Sequence, residues 1–326
     1  LRILCYHGVA LGDEAAFRPQ LFITPARLQQ RLASLARHRF PVVSLDQALD
    51  GLDGGTLPAA ATVITIDDGF HGAQRLGMGL LREFGFPATV YLTSYYCLNE
   101  RPIFGLVVAY AFWKTRRTEL DFTGLGLPRS GVVSLADDEE RDRAMADIIS
   151  WGETRCDEAG RGALALATCE RLGVDYAALE GARILSLVTP SEIREMALAG
   201  IDLQLHTHRH RLPFEPALAS REIADNREAL TPFVIKPLVH FCYPSGLRSP
   251  AHEPALRGAG IRSATTCEPG LNYPATPRLA LRRFLDGEHI SQIEFEAEAF
   301  GFAELLRRGR DAFDTVRKRD RSSSSP

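Results

Sequence analysis

Short runs of apolar and β-branched residues recur along this chain, each followed by a longer stretch in which apolar residues return every three or four positions. The runs at 2–6, 41–45, 62–66, 88–93, 201–205, 238–243, 261–266 and 278–284 have the length and the near-continuous apolar character of buried strands. The stretches between them predict helices. One opens at Thr24-Pro25, where a capping Thr and a first-turn Pro precede Leu28, Leu32 and Leu35. A similar start is expected at Ser191. Strand and helix alternating through the whole length predict a parallel sheet, and about seven such repeats predict an α/β fold of the distorted (β/α) barrel kind.

Two stretches break this rhythm. Residues 100–189 show no clear strand but carry the apolar run 104–113 and a mixed-charge helical pattern over 137–151, so they are expected to form a helical insertion or lid. Its Tyr110, Phe112 and Trp113 fit either a helix core or a surface on which sugar rings stack. Residues 311–326 combine basic residues with a serine run and predict a flexible tail, leaving 1–310 as a single catalytic domain.

Composition narrows the range of partners. A formal net charge of −3 over 326 residues supplies no field that would draw the chain to nucleic acid or anionic lipid, so no nucleic-acid partner is expected. No apolar run is long enough for a transmembrane span. The six cysteines lie far apart with no CxxC pair and read as buried free thiols. The absence of a leader in this chain leans towards the cytoplasm; because it opens on Leu, a removed signal would instead place it in the periplasm or cell envelope. There is no Gly-rich phosphate loop and no G-x-S-x-G elbow, which argues against nucleotide cofactors and against a serine hydrolase.

Candidate chemistry is concentrated at two strand ends. Asp67-Asp68-Gly69 closes the apolar run 62–66, and in barrel folds the C-terminal strand ends form the active face. Two adjacent carboxylates are either an Asp-Gly turn or a site in which one ligates a cation while the other stays free as a base. His206-Thr207-His208-Arg209-His210 follows the run 201–205. Three histidines in five residues repel one another when protonated, so the run is either a solvated His/Arg loop or a metal site that resolves the conflict. Asp68, His206 and His210 would form a ligand set with a position left open for water, as catalytic sites require. A divalent metal is therefore the expected cofactor; zinc suits two imidazoles and a carboxylate, though cobalt, nickel or iron fit the same set.

These two motifs, with the opening Tyr6-His7-Gly8-Val9 and the segment Phe241-Cys242-Tyr243-Pro244-Ser245-Gly246, resemble polysaccharide deacetylases of the NodB-homology (carbohydrate esterase 4) superfamily, with the closer likeness to the bacterial exopolysaccharide and capsule-associated branch. The resemblance runs from the first strand to about Gly301, with 100–189 matching in position and character only. It implies Asp67 as general base, Asp68, His206 and His210 as metal ligands, the Ser245 N–H as an oxyanion donor beside Tyr243, and Thr207 as a brace for the histidine loop. His7, at the first strand end, is expected in the pocket.

The sequence also departs from the family. The arginine that orients the catalytic aspartate falls on Cys242, and Arg283 is the candidate replacement. The late Leu-His-Asp segment has no clean match; His289 stands near its place and reads as a surface residue. The reading that follows is a hydrolase removing N-acetyl groups from amino sugars of a cell-surface or exported polysaccharide or its lipid-linked precursor, with an N-acetylated glycan as the carbohydrate partner. The same ligands would also serve hydrolysis of a formamide or cyclic amide, and the missing residues leave room for a catalytically impaired carbohydrate-binding protein.

Overall fold

A computed structural model describes residues 1–310; the tail expected over 311–326 lies outside the described residues. Seven parallel strands form the central sheet: β1 (Arg2–Tyr6), β2 (Thr62–Ile66), β3 (Thr89–Leu92), β4 (Asp202–Leu205), β5 (His240–Cys242), β6 (Ser263–Thr265) and β7 (Phe284–Leu285). Their spatial order is β6-β5-β4-β3-β2-β1-β7. Each of the first six lies beside its predecessor, as parallel crossovers through helices require. Leu281, just before β7, makes a single parallel bridge to Thr265 of β6, so the segment leading into β7 touches both ends of the sheet. The sheet thus curls into the distorted (β/α) barrel that the alternating pattern predicts.

β1 and β2 pair over their whole length and are buried at every position. A strand covered on both faces reads as a continuous apolar run, which is why Thr62-Val-Ile-Thr-Ile carries no polar alternation. Around it the helices start where their caps stand. In α1 (Pro25–Arg37) the Thr24 hydroxyl accepts from Arg27 N at 3.4 Å and Leu28, Leu32 and Leu35 face the core. The stretch 41–45, expected as a strand, contributes only a bridge from Val42 to Thr62. Ser44 ends it by forming a capping box with Gln47 at the start of α2 (Leu45–Gly54). The helix expected at Ser191 is instead α5 (Pro190–Leu198) with Thr189 as its cap, paired reciprocally with Glu192. The run 278–284 yields only the two-residue β7 at its end, because Arg278 and Thr276 fold the preceding segment into a turn.

The stretch 100–189 holds α3 (Phe104–Lys114) and α4 (Asp138–Arg155). It also holds a small antiparallel hairpin, Glu119–Asp121 with Val132–Ser134, which the sequence analysis did not anticipate: three-residue strands are too short to show a period. No described helix is long and apolar enough to cross a membrane. All six cysteines are free thiols.

One buried ion pair ties the barrel's outer helix to its last strand. Arg31 of α1 reaches the carboxylate of Asp286, one residue past β7, with Nε to Oδ2 at 3.0 Å and Nη2 to Oδ1 at 3.3 Å. Its remaining donors go to Ile290 O and Gln292 Oε1. Both side chains are shut off from solvent, so removing one partner leaves an uncompensated buried charge. Arg31→Ala is expected to destabilise the fold by about 3 kcal/mol or more, read as a lowered urea midpoint; a midpoint equal to that of the unaltered protein would show that the pair is not what fixes β7.

Candidate active site

The site is built at the C-terminal ends of β1, β2, β4 and β5 and just before β7. β2 ends in a forced turn: Asp68 has φ 68° and Gly69 φ 89°. The turn is held by Gly69 N donating to Asp67 O at 2.8 Å and by Val188 N donating to Gly69 O at 2.9 Å. A Cβ on Gly69 would stand 2.4 Å from Leu92 Cδ2, so glycine is required for space as well as conformation. A left-handed aspartate is a strained choice that persists where the surroundings over-determine it. Here the twist sends the two adjacent carboxylates to different partners.

Asp67, only 2% exposed, is held by Arg283, which is fully buried. The contact is bidentate, Nη1 to Oδ1 and Nη2 to Oδ2, each at 2.7 Å. Arg283 is itself fixed by Nε donating to Thr266 O at 2.8 Å and Nη1 donating to Thr65 Oγ1 at 3.2 Å. Burial pushes the Asp67 carboxyl up, but the guanidinium overrides it and holds the carboxyl well below the usual carboxylate range. Cys242 stands beside the pair, its thiol 3.3 Å from Asp67 Oδ2, and Cys5 approaches the same oxygen at 3.5 Å.

Asp68 turns the other way. Its Oδ1 lies 3.2 Å from His206 Nε2 and 3.3 Å from His210 Nε2. His206 Nδ1 donates to Cys242 O at 2.8 Å, which fixes the tautomer and leaves Nε2 as a lone-pair donor in the neutral ring. The two imidazoles sit with ring centroids 5.0 Å apart. One carboxylate oxygen and two imidazole nitrogens, all within 4.8 Å of one another, are groups that repel unless a proton or a cation lies between them. The donor set suits a divalent metal of the zinc kind. Two other groupings, Cys5 with His7 and Asp67, and Asp67 with His206 and Cys242, are poorer candidates. Asp67 is already neutralised by Arg283, and burial pushes both thiols well up and keeps them protonated.

The remaining sequence candidates separate clearly. His7 Nε2 stands 3.8 Å from Asp67 Oδ2, with its ring mostly buried and its Nδ1 buried without a hydrogen-bond partner among the described residues. Thr207, buried at φ 65°, accepts from Arg211 N at 3.1 Å, which closes the histidine loop on itself. Ser245 is exposed at φ 54° in the turn Pro244–Gly246. The bonds of that turn run from Gly246 N to Tyr243 O and from Leu247 N to Pro244 O, so they do not use the Ser245 N–H. Tyr243 is not brought into the pocket: its ring is buried and its hydroxyl donates to Leu279 O at 3.0 Å, because the strand end turns this side chain inward. His208 turns away to Ser94 Oγ at 2.8 Å. His289 is exposed and bonds Pro19 O. Tyr110 and Phe112 are core residues, and Trp113 packs on Phe17.

Two residues that the sequence analysis missed hold the histidine loop. Asn226 of α6 (Pro216–Leu230) accepts from His206 N at 3.0 Å and donates to Leu92 O and Ser94 Oγ. Glu222 accepts from Arg209 N at 3.0 Å and from Arg209 Nη1 at 2.9 Å. A signal was present, since both stand on the buried stripe with Ala219, Ile223 and Leu230, where apolar residues are expected. A cavity of about 340 Å³ opens beside Asp68 and His210, walled by Leu187 and by Ile103, Leu106, Ile149 and Tyr96 from the insertion and the segment leading into it.

Comparison with known proteins accords with this geometry. Residues 165–264 match the family model described as polysaccharide deacetylase. Over that stretch, less than half of the chain, the sequence is similar to polysaccharide deacetylases. Among solved structures, the Streptococcus pyogenes deacetylase PplD is 14% identical with a TM-score of 0.60 over 92% of this chain and 97% of that one. IcaB from Ammonifex degensii is 17% identical with a TM-score of 0.57, covering 91% and 94%. The de-N-acetylase from Aggregatibacter actinomycetemcomitans is 14% identical with the same TM-score, covering 91% and 98%. At these identities the likeness concerns the fold. No curated protein matches the chain.

Two substitutions test the division between the carboxylates. His210→Ala removes one of three converging donors, so zinc retained after dialysis should fall steeply, with affinity down about a hundredfold or more; unchanged occupancy would remove His210 from the ligand set. Arg283→Ala should leave zinc content intact and lower the rate about tenfold to a hundredfold. Without the guanidinium, burial is opposed only by His7 and His206 and the Asp67 pKa rises, so the acid limb of the rate profile should move to higher pH. An unmoved limb with a wild-type rate would end the role of Arg283.

Proposed function

We propose that this protein is a metal-dependent deacetylase that removes N-acetyl groups from amino sugars of a cell-surface or exported polysaccharide, or of its lipid-linked precursor. The observation that carries the reading is the split of Asp67 and Asp68. One is neutralised by a buried arginine, while the other is left to two imidazoles whose lone pairs converge on it. A pure binding site would need only the second carboxylate. The first, held ionised beside it, is what hydrolysis requires.

The chain's own residues take the following roles. Asp68, His206 and His210 hold the cation. When bound, it supplies Lewis acidity toward a water and a carbonyl oxygen. Asp67 takes the proton from the attacking water. Arg283 keeps this carboxylate ionised and so makes it a weak base, which suits a group that accepts a proton only to pass it on. His7, 3.8 Å from Asp67, outside the ligand set and held toward its neutral form by burial, takes the proton that Asp67 has accepted and delivers it to the leaving nitrogen, in place of the family histidine that His289 does not replace. The Ser245 N–H, left over by its turn, supports the oxyanion.

The single-domain arrangement over 1–310, with the insertion as one wall of the site, fits a substrate presented from outside the barrel's C-terminal face. The aromatic run at 110–113 does not supply that wall. Hydrolysis of another amide uses the same groups, and the substrate assay separates the two.

Acetate release from N-acetylated oligosaccharides, followed in native, chelated and zinc-restored protein, tests the reading. Release that chelation abolishes and zinc restores is expected, whereas bound metal without acetate would transfer the site to a different amide. Asp67→Asn should cut turnover about a thousandfold while the metal stays; loss of metal would mean that the two aspartates are exchanged. His7→Ala should lower kcat about a hundredfold at unchanged zinc content, and wild-type turnover would withdraw it as proton donor.

A further inference from the structure

An aromatic stack runs outward from the core between the two loops of the site. Tyr243, fully buried at the end of β5, packs against the ring of His252 at 6.2 Å between centroids and 31° between planes. His252, 1% exposed, lies in turn nearly parallel to Phe214, at 5.4 Å and 14°. Phe214 is 68% exposed. Isolated exposed apolar side chains are common, but this one has two unusual properties. Its inner face lies flat against a buried ring. Its position is also set by the site: it follows His210 by four residues, while His252 belongs to the segment that leaves Ser245.

We infer that Phe214 is a stacking platform for a sugar ring of the glycan chain next to the unit that is deacetylated. The inference rests on the proposed deacetylase reading and names a subsite for it. The C–H face of a pyranose is apolar and matches the face of a phenyl ring. A ring already ordered by stacking loses little freedom when a second flat surface is laid on it. The loop that carries Phe214 is restrained at its start by Asn226 and Glu222 and at its end by Glu215, whose carboxylate caps α6 through Ala217 N and Leu218 N. The platform is therefore rigid relative to His206 and His210. On this inference a single N-acetylated sugar engages the Asp68 and His210 site alone, while an oligosaccharide engages Phe214 as well.

Calorimetric binding of N-acetylglucosamine and of its pentamer to the full zinc-loaded chain separates the possibilities, since it needs no turnover. Phe214→Ala should weaken pentamer binding about tenfold, in the range of an aromatic contact, with monomer affinity and zinc content unchanged. Phe214→Trp should restore the pentamer affinity. Equal pentamer affinity in unaltered and Ala variants overturns the inference. So does a parallel loss for monomer and pentamer with falling zinc content, which would make Phe214 only a staple between the two loops. Phe214→Leu, which keeps the bulk against His252, should bind the pentamer as weakly as the Ala variant; full affinity there also overturns it. Failure of the deacetylase reading shows separately, as pentamer binding without acetate release.

Discussion

The buried pair of Asp67 and Arg283 is the constraint on which the site depends. A carboxylate 2% exposed is costly to keep ionised, and that cost is met only because the guanidinium makes two 2.7 Å contacts and has its own donors satisfied by Thr266 O and Thr65 Oγ1. The pair joins residues 216 positions apart in sequence, so it forms only when the last strand reaches the first two. β7 is two residues long and would be a weak strand alone. The Arg31–Asp286 pair on its far side and the Asp286 N bond to Cys5 O seat it against β1.

Neutralising Asp67 separately is what leaves Asp68 free for the histidines. The left-handed turn at Asp68 points neighbouring carboxylates in different directions, which ordinary strand geometry near a sheet end would not guarantee. The receiving side is equally pre-set. Cys242 O holds the His206 ring, Asn226 holds its backbone, and Thr207 closes the loop towards His210. His206 thus has a ring bond and a backbone bond that fix its orientation, and such outer partners tune both affinity and reactivity where a metal is bound. Cys242 has two roles, with its carbonyl on the histidine and its thiol beside the arginine, at the position where the family carries its own arginine.

The insertion gives the site one wall and little chemistry. Its helices turn Leu106 and Ile149 toward the cavity together with one charged residue, Glu153, while other charges pair outside, as Asp147 of α4 does with Arg129. A largely apolar wall beside a charged centre lowers the local dielectric and strengthens the electrostatic interactions there.

How much of this was legible in the sequence varies with how local the cause was. The strands with continuous apolar runs, the capped helix at Thr24-Pro25 and the two motif strand ends were readable because each depends on neighbours in the chain. The run 41–45 misled because a five-residue apolar stretch has no period, and the Ser44 capping box decided it. Arg283 could be named from the sequence only as a substitute for a missing residue; its bidentate contact required the barrel to close. Asn226 and Glu222 were hidden because a polar residue on an apolar helix stripe says that it has a partner without saying which. The sequence by itself determined which groups exist and at which strand ends they stand, since strand period and local caps are short-range. Which carboxylate meets the arginine and which meets the histidines was decided by the tertiary structure alone, because that choice rests on one left-handed turn and on contacts across hundreds of residues.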